Sequence, residues 1–466
     1  MASDAVRRLV DFGAENNMDS LLVVRHGKLV VDAYYAPYRA GMKHLINSAT
    51  KGVTATLTGI AIQDGLLKTV QQPIMDFFPA QTAARRDTNQ KAITLEHLLD
   101  MTSGIDWKEP LDGLPESMFQ MGRSPDWTAF ILDRPMAHPP GTTFNYNSGN
   151  SQLLSNVLTQ ATGGSAEAFA RKRLFGPLGI TDVLWQKDPQ GHSTGGFGLY
   201  MHPRDMAKIG YLYLHSGTWQ DQQLLPPQWS YKVFHPIVDM GMGDKPTFRY
   251  ANGWWSIPER NVYMAVGFHR QLIMVLPKQD LVVVTTGRTH YRFGALIDLL
   301  DATSPSGQAL PANPTAHTEL LHRVEDVATE KATAVGPTSA MAPAISGRSY
   351  QIENNRLGLR FMLLDLKPAS PHYELLFNAA NAKTGARRVA GAIGLAGLFS
   401  SPQSNGDPGF AVKASWTDAN TLVMVARAVA DGVVTTYTLR FNGDQVDINY
   451  QDNSGFTAQF HGAVKP

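Results

Sequence analysis

The sequence predicts an α/β (α+β) chain built on an antiparallel sheet flanked by helices, followed by a separate small β-domain. Three observations carry this. Strand signals frame the first 300 or so residues, as a hairpin at the start and a meander at the end, with helical periodicity between them. A stretch dominated by Pro, Ala, Ser and Thr then breaks the pattern over 303–345. Beyond it, 346–466 reads as strand and turn almost throughout. The expected organisation is a first domain over 1–302, a linker over 303–345 and a C-terminal β-barrel or sandwich over 346–466.

Residues 4–17 have amphipathic helical spacing. Apolar runs at 21–24 and 29–35 flank Arg25-His26-Gly27-Lys28, a hairpin signal. The next run, 52–64, reads as a helix with Val53, Leu57, Ile60 and Ala61 on one face, and with Asn47 and Ser48 supplying N-cap chemistry at its positive end. Further helices are expected over 95–101 behind Thr94, over 151–162, and over 203–216 with Pro203 in the first turn. Strands are expected over 262–266, 272–276 and 281–285, with Pro277-Lys278-Gln279-Asp280 turning between the last two and a closing helix over 293–300. A short helix near 317–330 interrupts the linker. About eight strands then follow, with Asn442-Gly443 as a strong hairpin turn.

Composition narrows the function. The chain has 466 residues, 43% of them hydrophobic, and a net charge of +1. No basic patch with interleaved aromatics points to nucleic acid. No apolar run reaches the roughly 20 residues of a membrane span. The absence of cysteine excludes disulfides, thiolate catalysis and cysteine metal sites. Histidines are scattered without metal-ligand spacing, so neither a metal nor another cofactor is expected. Met1-Ala2-Ser3-Asp4 does not read as a signal peptide, which predicts the cytoplasm; a leader removed ahead of it would place the chain in the periplasm or outside the cell.

The chemistry-bearing stretch is Ser48-Ala49-Thr50-Lys51. Ser48 and Lys51 stand one helical turn apart on one face, so an amine can meet the hydroxyl of a serine nucleophile. Taken alone, the pair also fits an ordinary capped helix with a solvated lysine. Serine acyl transfer needs two more pieces, a proton relay and an oxyanion hole. Tyr146-Asn147-Ser148 presents a phenol from a polar loop ahead of a helix. A phenol acts as a base only beside a cation, and Lys51 is the candidate; packing of Tyr146 beneath a turn is the alternative. Gly267-Phe268-His269-Arg270-Gln271, placed on the strand after Ala265, can offer a backbone N–H beside the one from Ser48. Arg270 suits a substrate carboxylate or an acidic surface partner, and His269 suits proton transfer or a plain hydrogen bond.

In this order the motifs resemble the serine β-lactamase and penicillin-binding superfamily. The closer likeness is to its class C β-lactamase-like branch, which includes family VIII carboxylesterases, D-alanyl peptidases and 6-aminohexanoate-dimer hydrolases. The segments 93–105, 175–180 and 195–208 are similar to hallmark stretches of that branch, and the likeness runs over roughly 5–300. The tail resembles the lipocalin-like β-domain appended to some of these hydrolases. The resemblance implies a serine β-lactamase-like fold with an all-helical region. It implies Ser48 as acylated nucleophile, Lys51 as its base, Tyr146 as the proton-exchanging tyrosine, and the N–H groups of Ser48 and Gln271 as the oxyanion hole. Ser148, Phe268, His269, Arg270 and Tyr200 are the expected substrate-binding residues.

Two departures shape the substrate reading. Ser148 stands where the branch commonly has asparagine, and Arg270 stands at a strand edge where it has glycine, narrowing the cleft. Both favour an esterase or an amidase for small or linear substrates. A weak β-lactamase or D-alanyl peptidase is the alternative, and a catalytically impaired ligand-binding protein is the alternative of another class. No G-x-S-x-G elbow points to an α/β-hydrolase. The β-domain is expected to cover part of the hydrolase or to mediate homo-oligomer formation. Trp107, Trp127, Trp185, Trp254 and Trp255 are candidate cleft walls.

Overall fold

The computed structural model describes residues 1–79, 88–110, 115–242, 247–303, 310–367, 369–378, 386–401 and 409–464. The chain forms two compact units. One comprises Met1–Leu9, Ser20–Asp32 and Lys43–Ala312; the other comprises Val10–Asp19, Ala33–Met42 and Asn313–Pro466. Residues 304–309, near the start of the expected linker, lie outside the described residues. The helix expected near 317–330 spans Pro314–Ala328. Among the described residues no helix is long and apolar enough to cross a membrane.

β1 (Met18–Arg25) and β2 (Lys28–Tyr34), most of whose residues belong to the first unit, make the hairpin. Its turn residues His26 and Gly27 have φ of 50° and 68°, the two left-handed positions of a type I′ connection. Two short sheets follow, β3 (His44–Leu45) with β4 (Leu184–Trp185) and β5 (Leu199–Met201), and β6 (Thr218–Trp219) with β7 (Gln222–Gln223). Then come β8 (Val238–Asp239), β9 (Arg249–Ala251), β10 (Trp254–Ile257), β11 (Val262–Gly267), β12 (Gln271–Leu276) and β13 (Leu281–Gly287). The large sheet has eight strands in the order β2-β1-β13-β12-β11-β10-β9-β8, so the first hairpin adds to the last meander.

Every residue of β11, β12 and β13 is buried. The helix Pro203–Leu214 lies directly on this sheet: a Cβ on Gly210 would stand 2.6 Å from Val282 and 2.8 Å from Ile273. The helix Thr50–Gln63 is buried all round from Thr50 to Ala61 rather than along one apolar stripe. Its threonines are tolerated because their hydroxyls are used. Thr56 and Thr58 donate back to the carbonyls of Gly52 and Thr54, and Thr54 donates to Gly195.

The cap of this helix corrects the sequence reading. Its N-cap is Ala49, with no side-chain cap bond, and Ser48 lies in a preceding 3-10 turn, Asn47–Ala49. The hydroxyl of Ser48 is held by Lys51 instead of by the helix backbone. Elsewhere capping follows the expected chemistry. Thr94 forms a reciprocal box with His97 at the head of Leu95–Leu99, and Asn147 caps Ser148–Thr162.

The second unit carries nine antiparallel strands. β14 (Arg348–Ile352), β15 (Leu359–Asp365), β16 (His372–Asn378) and β17 (Ala386–Ala392) come first. β18 (Phe410–Trp416), β19 (Thr421–Ala428), β20 (Val433–Asn442), β21 (Gln445–Asp452) and β22 (Thr457–Val464) complete it. Sequence neighbours pair throughout except β17 and β18, which are the two edges, and β14 pairs with β22. Gly394 nearly closes the ring: its N–H donates to the Val412 carbonyl, and its own carbonyl accepts from Ala414. The result is a nearly closed, barrel-like sheet. Alternate residues of β20, Tyr437, Leu439 and Phe441, face a core that also holds Tyr350, Met362, Leu422 and Phe460. The turn is shifted by one residue from the expected Asn442-Gly443. Asn442 still pairs with Gln445, so Gly443-Asp444 make the connection, with φ of 58° at Gly443.

Candidate active site

All candidate site residues lie in the first unit. The 3-10 turn delivers Ser48 and the buried helix delivers Lys51, whose Nζ stands 2.9 Å from Ser48 Oγ. Lys51 is only 2% exposed, so its ammonium requires internal partners. It has three: Ser48 Oγ, Ser148 Oγ at 2.9 Å and the Gly196 carbonyl at 3.0 Å. These match the three donors of the group.

The geometry depends on close backbone approaches. A Cβ on Gly253, where φ is 79°, would fall 2.7 Å from the Lys51 carbonyl, and one on Gly52 would meet Trp254 at 3.1 Å. A Cβ on Gly195 would fall 1.8 Å from the Ser151 carbonyl. Gly195 also donates its N–H to Gln152 and accepts from Thr54. The glycine-rich segment is thereby pressed between two helices, and the Gly196 carbonyl is aimed at Lys51.

Tyr146 joins this cluster. Its ring centroid is 4.7 Å from Lys51 Nζ, within cation–π range. Edge-on contacts with Tyr250 and Trp255, each at 6.4 Å between centroids, hold the ring. Burial first, and then electrostatic interaction with the Tyr146 phenol, pushes the Tyr250 phenol well above its ordinary pKa. Ser148 opens the following helix and is fully buried. Its hydroxyl engages Lys51 on one side and Glu109 Oε1, at 2.6 Å, on the other. Glu109 was not singled out from the sequence. Its other oxygen accepts from the Ser148 N–H at 2.8 Å and from Trp107 Nε1 at 2.6 Å.

The third motif is placed differently from its sequence reading. Phe268-His269-Arg270 is not a strand but a turn joining β11 to β12, with φ of 59° at His269 and 61° at Arg270. This explains the glycine common at the Arg270 position: the backbone there is left-handed. Gly267 abuts the nucleophile turn, since a Cβ on it would stand 2.2 Å from the Ile46 carbonyl, and Asn47 Nδ2 donates to the Phe268 carbonyl at 3.2 Å. Gln271 lies opposite Gly267 in the ladder, and its side chain is tied to both backbone groups of Gly287. Arg270 Nε donates to the Tyr291 carbonyl at 2.8 Å, and its guanidinium lies 4.0 Å from the centre of the Phe293 ring. Burial lowers its pKa from the usual arginine value. Phe293 touches Trp255, so Arg270 ends an aromatic row that leads to Tyr146.

Phe268 is exposed and packs on His269 and His290. Burial, then the Arg270 charge, lowers the His290 pKa. Tyr200 is buried on β5 opposite Leu45, three residues before Ser48. Of the tryptophans, Trp107 and Trp255 touch the cluster directly, Trp254 supports Gly52, Trp127 packs on Phe197, and Trp185 donates to the Thr194 carbonyl.

The chain is similar to known proteins in sequence and in fold. The Beta-lactamase family model matches residues 7–300. The 6-aminohexanoate-dimer hydrolase of Paenarthrobacter ureafaciens is 23% identical over 288 residues, covering 58% of this chain and 72% of that protein. Among solved structures, EstCE1, a hydrolase with promiscuous acyltransferase activity, superposes with a TM-score of 0.53 at 16% identity, over 65% of this chain and 98% of its own. The octameric penicillin-binding protein homologue from Pyrococcus abyssi has a TM-score of 0.51 at 14% identity, over 98% of this chain and 99% of its own. At these identities the two structures speak to the fold, while the family match spans well over half the chain. The chain belongs to the Beta-lactamase family and is a serine hydrolase of that fold.

Proposed function

We propose that this protein hydrolyses an ester or a linear amide through an acyl-enzyme on Ser48. One observation carries the reading, the 2.9 Å approach of Lys51 Nζ to Ser48 Oγ inside a buried cluster. Ser48 Oγ attacks the substrate carbonyl carbon and passes its proton to Lys51. The Tyr146 hydroxyl protonates the leaving group, the bond to that group breaks, and an acyl ester remains on Ser48. Water, deprotonated by the same Tyr146–Lys51 pair, then releases the acid. The N–H groups of Ser48 and Gln271 are proposed to receive the oxyanion. Phe268, His269, Arg270 and Tyr200 are proposed to contact the substrate, whereas the Ser148 hydroxyl is already shared by Lys51 and Glu109.

The preference for small or linear substrates is supported by Arg270 at a position suited to glycine, and by the matched 6-aminohexanoate-dimer hydrolase. The lipocalin-like reading of the second unit is part of this proposal, supported by the neighbour-to-neighbour strand order. Homo-oligomer formation is supported by the octameric homologue, which aligns along nearly the whole chain. The test is a fluorophosphonate probe read by intact mass, together with a panel of p-nitrophenyl esters, linear ω-amino amides, D-alanyl peptides and nitrocefin. One label per chain, lost in Ser48→Ala, and turnover of esters or linear amides above nitrocefin are expected. An unlabelled wild-type protein would return the reading to a ligand-binding protein.

A further inference from the structure

We propose that Glu109 is a positioning residue that sets the direction of the hydrogen bonds around Lys51, so that the amine's lone pair faces Ser48. The inference deepens the reading of Ser48 and Lys51 as nucleophile and base, and rests on it.

Glu109 is buried, and among the described residues its three hydrogen bonds all come from donors. Trp107 Nε1–H and the Ser148 N–H converge on Oε2 at 2.6 and 2.8 Å. Neither donor can reverse, because indole and amide nitrogens do not accept. The remaining oxygen, Oε1, takes the Ser148 hydroxyl proton at 2.6 Å. A hydroxyl has one proton. With that proton spent on Glu109, Ser148 Oγ can only accept from Lys51, 2.9 Å away.

To act as a base, Lys51 must be a neutral amine with two N–H groups and one lone pair. The Gly196 carbonyl, a pure acceptor at 3.0 Å, claims one N–H. Ser148, made an obligate acceptor by Glu109, claims the other. The third direction from Nζ is Ser48 Oγ at 2.9 Å. In the neutral amine the lone pair therefore points at the nucleophile's proton. The carboxylate acts through Ser148 and need not meet the substrate.

Glu109→Gln tests this with little change in shape. The amide oxygen must stay with Trp107 and the Ser148 N–H, which turns the NH2 toward Ser148 Oγ. Ser148 then accepts from Gln Nε2, its proton swings to Lys51, and the lone pair is drawn away from Ser48. The expected result is a fall of about 10²-fold in the fluorophosphonate labelling rate and in kcat, the lower end of a general-base contribution. KM should stay within about twofold and the melting temperature near that of the wild type. In a Ser148→Ala background the Glu109→Gln change should have no further effect, because the link is already cut; a merely structural role would add to the loss instead. Should Glu109→Gln fold poorly, Ser148→Ala alone must show the roughly 10²-fold fall. A wild-type labelling rate in folded Glu109→Gln, or in Ser148→Ala, overturns the inference while leaving Ser48 as nucleophile. Failure of the wild-type protein to label at all overturns both.

Discussion

Lys51 Nζ stands 4.7 Å from the centroid of the Tyr146 ring, so the tyrosine offers the lysine its face, while its hydroxyl is the group proposed to move protons. The two contributions can be separated. Tyr146→Phe keeps the ring against Trp255 and Tyr250 and loses only the phenol. We expect kcat for p-nitrophenyl esters to fall by roughly 10²–10⁴-fold, with little change in melting temperature. Tyr146→Ala should lose activity to the same extent and stability as well, because the aromatic contacts go too. Stopped-flow acylation rates and thermal melts of the two variants check this.

Lys232 holds a second, partly buried charge cluster. Its Nζ lies 2.8 Å from Asp100 and 2.6 Å from Glu96. The two ends respond differently. Burial raises the Asp100 acid, and Lys232 pulls it only part of the way back. Burial works against the Lys232 charge too, but its two carboxylates outweigh it and its pKa rises. The Asp100 carboxylate, 6% exposed against 26% for Lys232, carries most of the desolvation cost. Lys232→Met should therefore cost about 3 kcal/mol near neutral pH by leaving Asp100 buried and unpaired. The sign of the pH dependence follows from the raised acid. Protonation relieves the unpaired carboxylate, so the deficit relative to the wild type shrinks as pH falls through the raised Asp100 value. Glu96, lowered overall because Lys232 outweighs its burial, adds stability above its ordinary range that the wild type loses on acidification. Urea melts across pH 4–8, with Asp100→Asn as the rescuing second change, measure both effects.

Gly195→Ala probes the glycine-rich clamp. The new methyl would lie 1.8 Å from the Ser151 carbonyl and 3.0 Å from the Gln152 nitrogen, both backbone atoms that cannot swing aside. The segment must move, and Gly196 moves with it, drawing its carbonyl off Lys51. We expect a loss of about 1–3 kcal/mol in stability and a larger proportional loss in kcat than in KM. Gly195 has no left-handed φ, so the cost is that of the clash, and Gly122→Ala, with no left-handed φ and nothing within 4 Å, is the unstrained control.

These cases show which parts of the protein are readable from sequence. Helix starts with local chemistry, such as Thr94 and Pro203, are legible because the cap and the element sit within four residues. The strands of the barrel are legible from alternation, as in β20. Ser48, Lys51 and Tyr146 were reachable through their motifs. Glu109 was not: it meets Ser148 across 39 positions of sequence, and Trp107-Lys108-Glu109 has no pattern that distinguishes it from a surface loop. The turn at 268–270 was misread for a related reason. An apolar run extends on both sides of it, and two consecutive left-handed residues without glycine leave no mark that periodicity can detect. β9 and β10 escaped notice because they are short and split by Gly253, whose role is a close approach to Lys51 rather than a turn alone.

Arg270 offers the sharpest probe of substrate choice. Its φ of 61° is a conformation that costs a non-glycine residue roughly 1–2 kcal/mol. Its side chain offsets this through the Tyr291 carbonyl and the face of Phe293. Arg270→Gly removes the strain and those contacts together, so the net change in stability should be small. The larger effect should be on the cleft. Without the guanidinium, the face of Phe293 is uncovered, and space opens at the end of the aromatic row that reaches Tyr146. We expect kcat/KM for bulky acyl esters to rise relative to p-nitrophenyl acetate by about tenfold, the scale of one or two buried methylenes. The ratio of the two rates, measured in wild type and variant, removes any difference in active fraction. An unchanged ratio would mean that Arg270 faces away from the acyl group and that the size limit lies elsewhere in the cleft.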